Sequence, residues 1–167
     1  KIEYEHRHDE MRIWLPNFGK VRRISSKKKG DSFMGSDLSY EDLSNRSLNE
    51  NEYYRLADDV INNIECYVLD IRPLANLKSS FSKNVCWINK SDLTGIKEES
   101  YDKKGKLIKR KFFRYSFLDG YSILTYAYVE NIKRNHSTEV FFSDLIINQD
   151  VDKKIFNEKY LQTMPSD

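Results

Sequence analysis

The chain carries only three histidines, three prolines, two cysteines and six glycines in 167 residues, and each scarcity removes a class of explanation. No window of about 18 apolar residues exists, so no helix is expected to span a bilayer. The longest apolar run, Tyr121 to Val129, is interrupted by Ser122 and Thr125. The Gly-x-Ser-x-Gly elbow, the phosphate loop, the dinucleotide loop, Cys-x-x-Cys and His-Glu-x-x-His are all missing. With so few histidines and glycines, catalytic and phosphate-cradling constellations are poorly supplied. The chain reads as a non-enzyme with no cofactor and no metal. Its two cysteines do not suit a disulfide. In a hairpin whose paired numbers sum to about 156, Cys66 faces position 90, which leaves Cys86 about four residues out of register. Two free, mostly buried thiols are expected, and the redox compartment stays open.

What is present favours sheet. Aromatic residues make up 13% of the chain, with 11 Tyr and 9 Phe, and such side chains suit a pleated, half-buried surface. Hydrophobic content of 39% against 32% charged fits one globular domain, 1–167. A net charge of +2 and a pI near 8.4 are too mild to imply a nucleic-acid partner. The basic clusters, Lys20 to Lys29 and Lys103 to Arg114, read as solvated strand faces and hairpin tips. Their functional alternative is peripheral docking on an anionic membrane surface or an acidic partner. Lys109 to Tyr115 interleaves cations with aromatics, which reads as a strand with its cations outward.

Ile2, Tyr4 and His6 alternate with Glu3, Glu5 and Arg7, the period of a strand with one buried face. Met11, Ile13 and Leu15 continue it until Pro16; Asn17-Phe18-Gly19 turns, and Val21 to Ser25 returns. Ser39 to Leu43 suits a helical turn. Glu52 to Asn63 is ambiguous: Tyr53, Leu56, Ala57, Val60 and Ile61 have helical spacing, whereas Val60 to Ile64 looks like a hairpin around Asn62-Asn63. Further strands are expected at Ile64 to Arg72, Val85 to Asn89, Gly95 to Tyr101, Lys106 to Tyr115, Ile123 to Asn131 and Thr138 to Asn148. Phe156, Tyr160 and Leu161 suggest a terminal turn. About nine strands in meander order should curl, leaving a concave apolar face that something must cover.

Few residues offer chemistry. His6 and His8 share a strand face and, with Asp9, Glu10 or His136, make at most a weak metal site. The neighbouring pairs Asp9-Glu10, Glu41-Asp42, Asp58-Asp59 and Glu98-Glu99 point to opposite sides of a strand. They read as solvated charges rather than an acid–base dyad. Asp37 is set apart, because it follows a tight Phe-Met-Gly-Ser segment and is placed to cap Tyr40 or bond neighbouring amides.

Three blocks carry a family resemblance. Arg12-Ile13-Trp14-Leu15-Pro16, then Lys20-Val21-Arg22-Arg23-Ile24, then Ser32-Phe33-Met34-Gly35-Ser36-Asp37-Leu38-Ser39-Tyr40-Glu41-Asp42-Leu43 resemble the LolA-like outer-membrane lipoprotein-sorting proteins. Val85 to Lys90, Tyr101 to Lys106 and Phe156 to Leu161 look like that family's later blocks, so the likeness covers nearly the whole chain. It implies a mainly β (α+β) fold: a curled antiparallel sheet forming an open, incomplete barrel with short helices over its concave face. It also makes Glu52 to Ile61 a strand. Family members carry a signal peptide, an N-terminal helix and early strands ahead of this segment. The chain, which begins at Lys1 without Met, is expected to be mature or trimmed and to lack part of the lid.

The function so implied is a periplasmic carrier of lipid or lipoprotein acyl chains, moving cargo toward the outer membrane and associated with an inner-membrane exporter. Ile13, Leu15, Phe33, Met34, Tyr67, Leu69 and Trp87 are the candidates for an apolar cavity, and Arg22 and Arg23 for a head group. Neither a catalytic residue nor a cofactor is needed. The rival reading is a non-catalytic protein-interaction module on the same scaffold, with a hydrolase well behind it.

Overall fold

The computed structural model describes residues 11–15, 19–25, 28–44 and 46–162. The described part of the first alternating segment begins at Met11; Ile2, Tyr4, His6 and His8 lie outside the described residues, as do Pro16, Asn17 and Phe18. The chain divides into two compact units, Lys1–Lys29 with Ile146–Asp167, and Gly30–Leu145. In the first, β1 (Met11–Leu15) pairs antiparallel with β2 (Lys20–Ile24), from Met11 opposite Ile24 to Leu15 opposite Lys20. Ile13 faces Arg22 and Leu15 faces Lys20 across this ribbon, while Arg23 faces Arg12. Lys153–Phe156 and Glu158–Gln162 form short 3₁₀ turns, and Glu158 pairs with Arg12.

The second unit is one seven-stranded antiparallel sheet in sequential order. Its strands are β3 (Asn51–Ile61), β4 (Ile64–Pro73), β5 (Lys83–Asn89), β6 (Gly95–Tyr101), β7 (Leu107–Leu118), β8 (Tyr121–Asn131) and β9 (His136–Phe141). The ambiguous segment is therefore strand β3, closed onto β4 by Asn62 and Asn63, both at positive φ (50° and 65°). Asn tolerates that left-handed conformation, and a turn of this hand matches strand twist. The last strand stops at Phe141, well short of Asn148, because the chain leaves the sheet after Phe142 bonds Thr125. Register shifts beside Leu56, Trp87, Ser100 and Arg114 mark bulges, which bend and twist a sheet. β3 and β9 remain its two edges, so the sheet is curled but not closed into a barrel.

Cross-strand register sorts the side chains onto two faces. One carries Cys66, Val68, Val85 and Trp87, a buried apolar cluster flanked by Ile61, Ile96 and Tyr101. Cys66 pairs with Asn89, one position from the expected register, and both thiols are free. The other face carries Ile71, Glu98, Lys109, Lys111, Ala127 and Val129, all buried. Irregular chain covers it rather than α-helix: the described helical segments are 3₁₀ turns of three to five residues. Gly30 lies close under Ser80, and a Cβ at that position would stand 2.1 Å from Ser80 Oγ and 3.1 Å from its Cβ, so any larger residue would make the serine side chain turn away.

Candidate functional site: a charge cluster under the 30–46 loop

The loop from Gly30 to Arg46 is built from short local bonds. Met34 and Gly35, at φ 52° and 81°, form a tight turn closed by Ser36 N donating to Phe33 O at 2.9 Å. Phe33 packs edge-on against Tyr40 at 5.7 Å, and Ser32 bridges to Ser39. Ser39 and Asp42 cap one another. The amide and hydroxyl of Ser39 donate to Asp42 Oδ2 at 2.8 and 2.7 Å, and the Asp42 amide returns a bond to Ser39 Oγ at 3.3 Å. This is the reciprocal cap that the polar start at Ser39 foreshadowed.

Three charged side chains of the loop then enter two adjacent cross-strand rows. One row runs Cys86, Glu98, Lys111, Val129, Thr138, and the next runs Asn84, Ser100, Lys109, Asn131, His136. Asp42, with its side chain 1% exposed, receives Lys109 Nζ at 2.7 Å and also pairs with Lys111. Lys111 reaches Glu98 at 2.7 Å, and Arg46 grips the same carboxylate with two bonds of 2.5 and 2.7 Å. Asp37 accepts from Thr138 Oγ1 at 2.8 Å and lies 2.6 Å from His136 Nδ1. Phe81 seats its ring 5.5 to 5.7 Å from the two lysine ammoniums, and Glu41 ties the loop to Ser79 and Ser80.

Burial works against the charged forms of Asp42, Arg46, Glu98 and Lys111, and their partners outweigh it. Desolvation would raise the Asp42 carboxyl, yet Lys111 and Lys109 hold it at about 2. Glu98 is likewise driven far below the carboxylate range, by Lys111 and Arg46 against its burial. Burial and the Glu98 carboxylate push the Cys86 thiol up, so it stays a neutral donor 3.1 Å from Glu98. A carboxyl depressed in the folded state contributes stability above its unfolded pKa, and that contribution is lost as pH falls toward the folded value. Acidification from about pH 4 to about pH 2 should therefore release the Ser39–Asp42 turn before the sheet melts. Amide exchange along residues 37–44 checks this, and Asp42→Asn should flatten the dependence.

These placements correct several expectations. Lys109 and Lys111 are not outward-facing, being 8% and 3% exposed. Asp42 and Glu98 are not solvated, and Asp37 bonds β9 rather than capping Tyr40, whose amide goes to Asp31 O. The apolar candidates do not share one surface. Tyr67 and Leu69 lie on the loop-covered face opposite Ile88 and Cys86, whereas Trp87 sits on the other face beside Val68. There its indole donates to Asp59 at 2.8 Å under the Lys97 ammonium. Met34 is a turn tip, 65% exposed, and Phe33 is half-buried beneath it. Ile13 and Leu15 are half-buried on the β1–β2 ribbon, where Arg22 shares their face and Arg23 the opposite one; both arginines are exposed and engaged. The sequence held one signal for the missed cluster. Lys97-Glu98-Glu99 and Lys109-Arg110-Lys111 place charge at successive strand positions, which must put charge on both faces.

Among curated proteins no relative matches the chain. Residues 1–163 match a family model described only as an uncharacterized, "-like" protein. Among solved structures, a domain from Vibrio parahaemolyticus, provisionally described as an outer membrane lipoprotein-sorting protein, is 33% identical over 93% of this chain, with a TM-score of 0.86. The chain belongs to the LolA-like family. A DUF1329 family protein from Desulfovibrio piger is 32% identical over 93% of the chain, with a TM-score of 0.89. A LolA superfamily protein from Nitrosomonas europaea, 19% identical with a TM-score of 0.68, shares the fold. The LolA-like chain spans 66% of the length of each of the first two structures and 67% of the third. Its described helices include none long and apolar enough to cross a membrane.

Proposed function

We propose that this protein is a periplasmic carrier of lipid or lipoprotein acyl chains. The observation that carries the reading is the likeness, at 33% identity across 93% of the chain, to a domain described for outer-membrane lipoprotein sorting. The open sheet adds support. Tyr53 and Val60 on the edge strand β3 and Tyr67 on neighbouring β4 share the loop-side face and are each at least 38% exposed, and exposed apolar side chains on one face mark an interaction surface. Each buried CH₂ contributes about 0.8 kcal/mol, so a pair of acyl chains binds strongly without any directional contact. Tyr67 and Leu69, with Phe33, are the residues proposed to meet the chains on the loop-covered face. Ile13 and Leu15 next to Arg22 supply the combination an acyl chain with a polar head requires. The interaction-module alternative draws on one specific observation: ion pairs, not apolar groups, fill the middle of the covered face.

Native mass spectrometry of protein purified from its own periplasm separates the two. Acyl-bearing mass adducts that decline in Leu69→Asp, with the wild-type circular dichroism retained, support the carrier. Protein that is always free of cargo sinks it.

A further inference from the structure

The cluster under the loop has a charge imbalance. Arg46, Lys109 and Lys111 directly contact only Asp42 and Glu98, one cation more than the carboxylates they touch, because the third carboxylate of the cluster, Asp37, is taken up by Thr138 and His136. The neutral Cys86 thiol adds no anion. Glu98, Lys109 and Lys111 belong to β6 and β7, but Asp42 arrives from the loop. Its carboxylate makes the contacts a bound anion would make: two ammoniums, a backbone amide and a hydroxyl. The amide and hydroxyl belong to Ser39 and travel with Asp42. Withdrawing the turn therefore costs Asp42 only its two lysine contacts, together with the bonds from Ser79 and Ser80 to Glu41.

We propose that Lys109, Lys111 and Arg46 form a binding site for the phosphate monoester of a carried lipid's head group, which Asp42 occupies as an intramolecular stand-in. The proposal deepens the carrier reading and rests on it. With Asp42 withdrawn, three cations face Glu98 alone, a surplus of two. A phosphate monoester carries about −1.5 to −2 and offers three acceptor oxygens, so it balances that surplus better than one carboxylate does. The exchange also loosens the Ser39–Asp42 turn from the two lysines, while Asp37 and Arg46 still anchor the rest of the loop to the sheet.

The test compares wild-type and Asp42→Asn protein by calorimetry against inorganic phosphate and dioctanoyl phosphatidic acid. Removing the stand-in should raise affinity for phosphatidic acid roughly ten- to hundredfold, the worth of one charge-assisted contact. Adding Lys111→Met should abolish the gain. A matching gain for inorganic phosphate makes the anion itself the ligand, and a gain confined to phosphatidic acid assigns the site to a lipid head group. Equal affinities in the two proteins overturn the proposal. In wild-type protein, phosphatidic acid should speed amide exchange across residues 37–44, and unchanged exchange there is also fatal to it. Dioctanoylglycerol, which lacks the phosphate, reads acyl-chain binding separately. If it binds while the anion effects are missing, the carrier survives and this site does not.

Discussion

Replacing Glu98 with leucine should lower the unfolding free energy by about 3 to 5 kcal/mol, the usual consequence of stranding buried charge. In a chain of this length that lowers the melting temperature by on the order of 10 °C. The reason is charge balance rather than contact number. Without Glu98, three cations face Asp42 alone, and Lys111 is only 3% exposed. Lys111→Met touches the same pair but should cost clearly less. It leaves Asp42 with Lys109 and Glu98 with Arg46, each at 2.5 to 2.7 Å. The double variant should recover part of the Glu98→Leu loss, and thermal unfolding of all four proteins closes the cycle. Equal losses from the two single variants would show that the cluster acts through packing, not charge.

Trp87→Ala should destabilise by about 3 to 5 kcal/mol. Trp87 packs with Cys66, Val68 and Val85, its ring lies 3.9 Å from the Lys97 ammonium, and its indole nitrogen bonds Asp59. Trp87→Phe keeps most of the apolar volume and loses the bond to an exposed carboxylate, so about 1 kcal/mol is expected. Urea unfolding reads both. The pair also has a functional consequence. Trp87 lies on the face opposite Tyr67 and Leu69, so Trp87→Phe should leave acyl-chain uptake unchanged while Leu69→Asp reduces it. A loss of uptake in Trp87→Phe would move the proposed contact surface to the other face.

Cross-strand charge elsewhere matters less. Lys97, Glu99, Arg110 and Glu130 form a ladder on the Trp87 face with separations of 3.0 to 3.5 Å. Arg110 and Glu130 keep substantial exposure, and their pair contributes little because water screens it. The buried cluster differs only in being covered, which is why the Gly30–Arg46 loop, not the sheet, sets its energetics.

Much of the sheet was legible because period-two alternation is a local property. Ile64 to Arg72, Gly95 to Tyr101 and the pairing of Cys66 near position 90 all come from alternation and turn residues alone. β3 was not, since its apolar residues fit two periods, and only the resemblance or the formed hairpin chooses between them. Arg22 and Arg23 show the same limit at one position: alternation separates them, but the register Ile13 to Arg22 says which one shares the apolar side.

From the sequence by itself came the class of the fold, the order of most strands, the free thiols and the LolA-like blocks. Each depends on spacing within a short stretch. The tertiary structure decided which charges are buried and which apolar residues share a face. Asp42, Glu98 and Lys111 are separated by 56 and 13 positions, and nothing local to any of them tells that a loop will close over that part of the sheet. Desolvation is a property of what lies on top of a residue, and a strand's own pattern does not encode its cover.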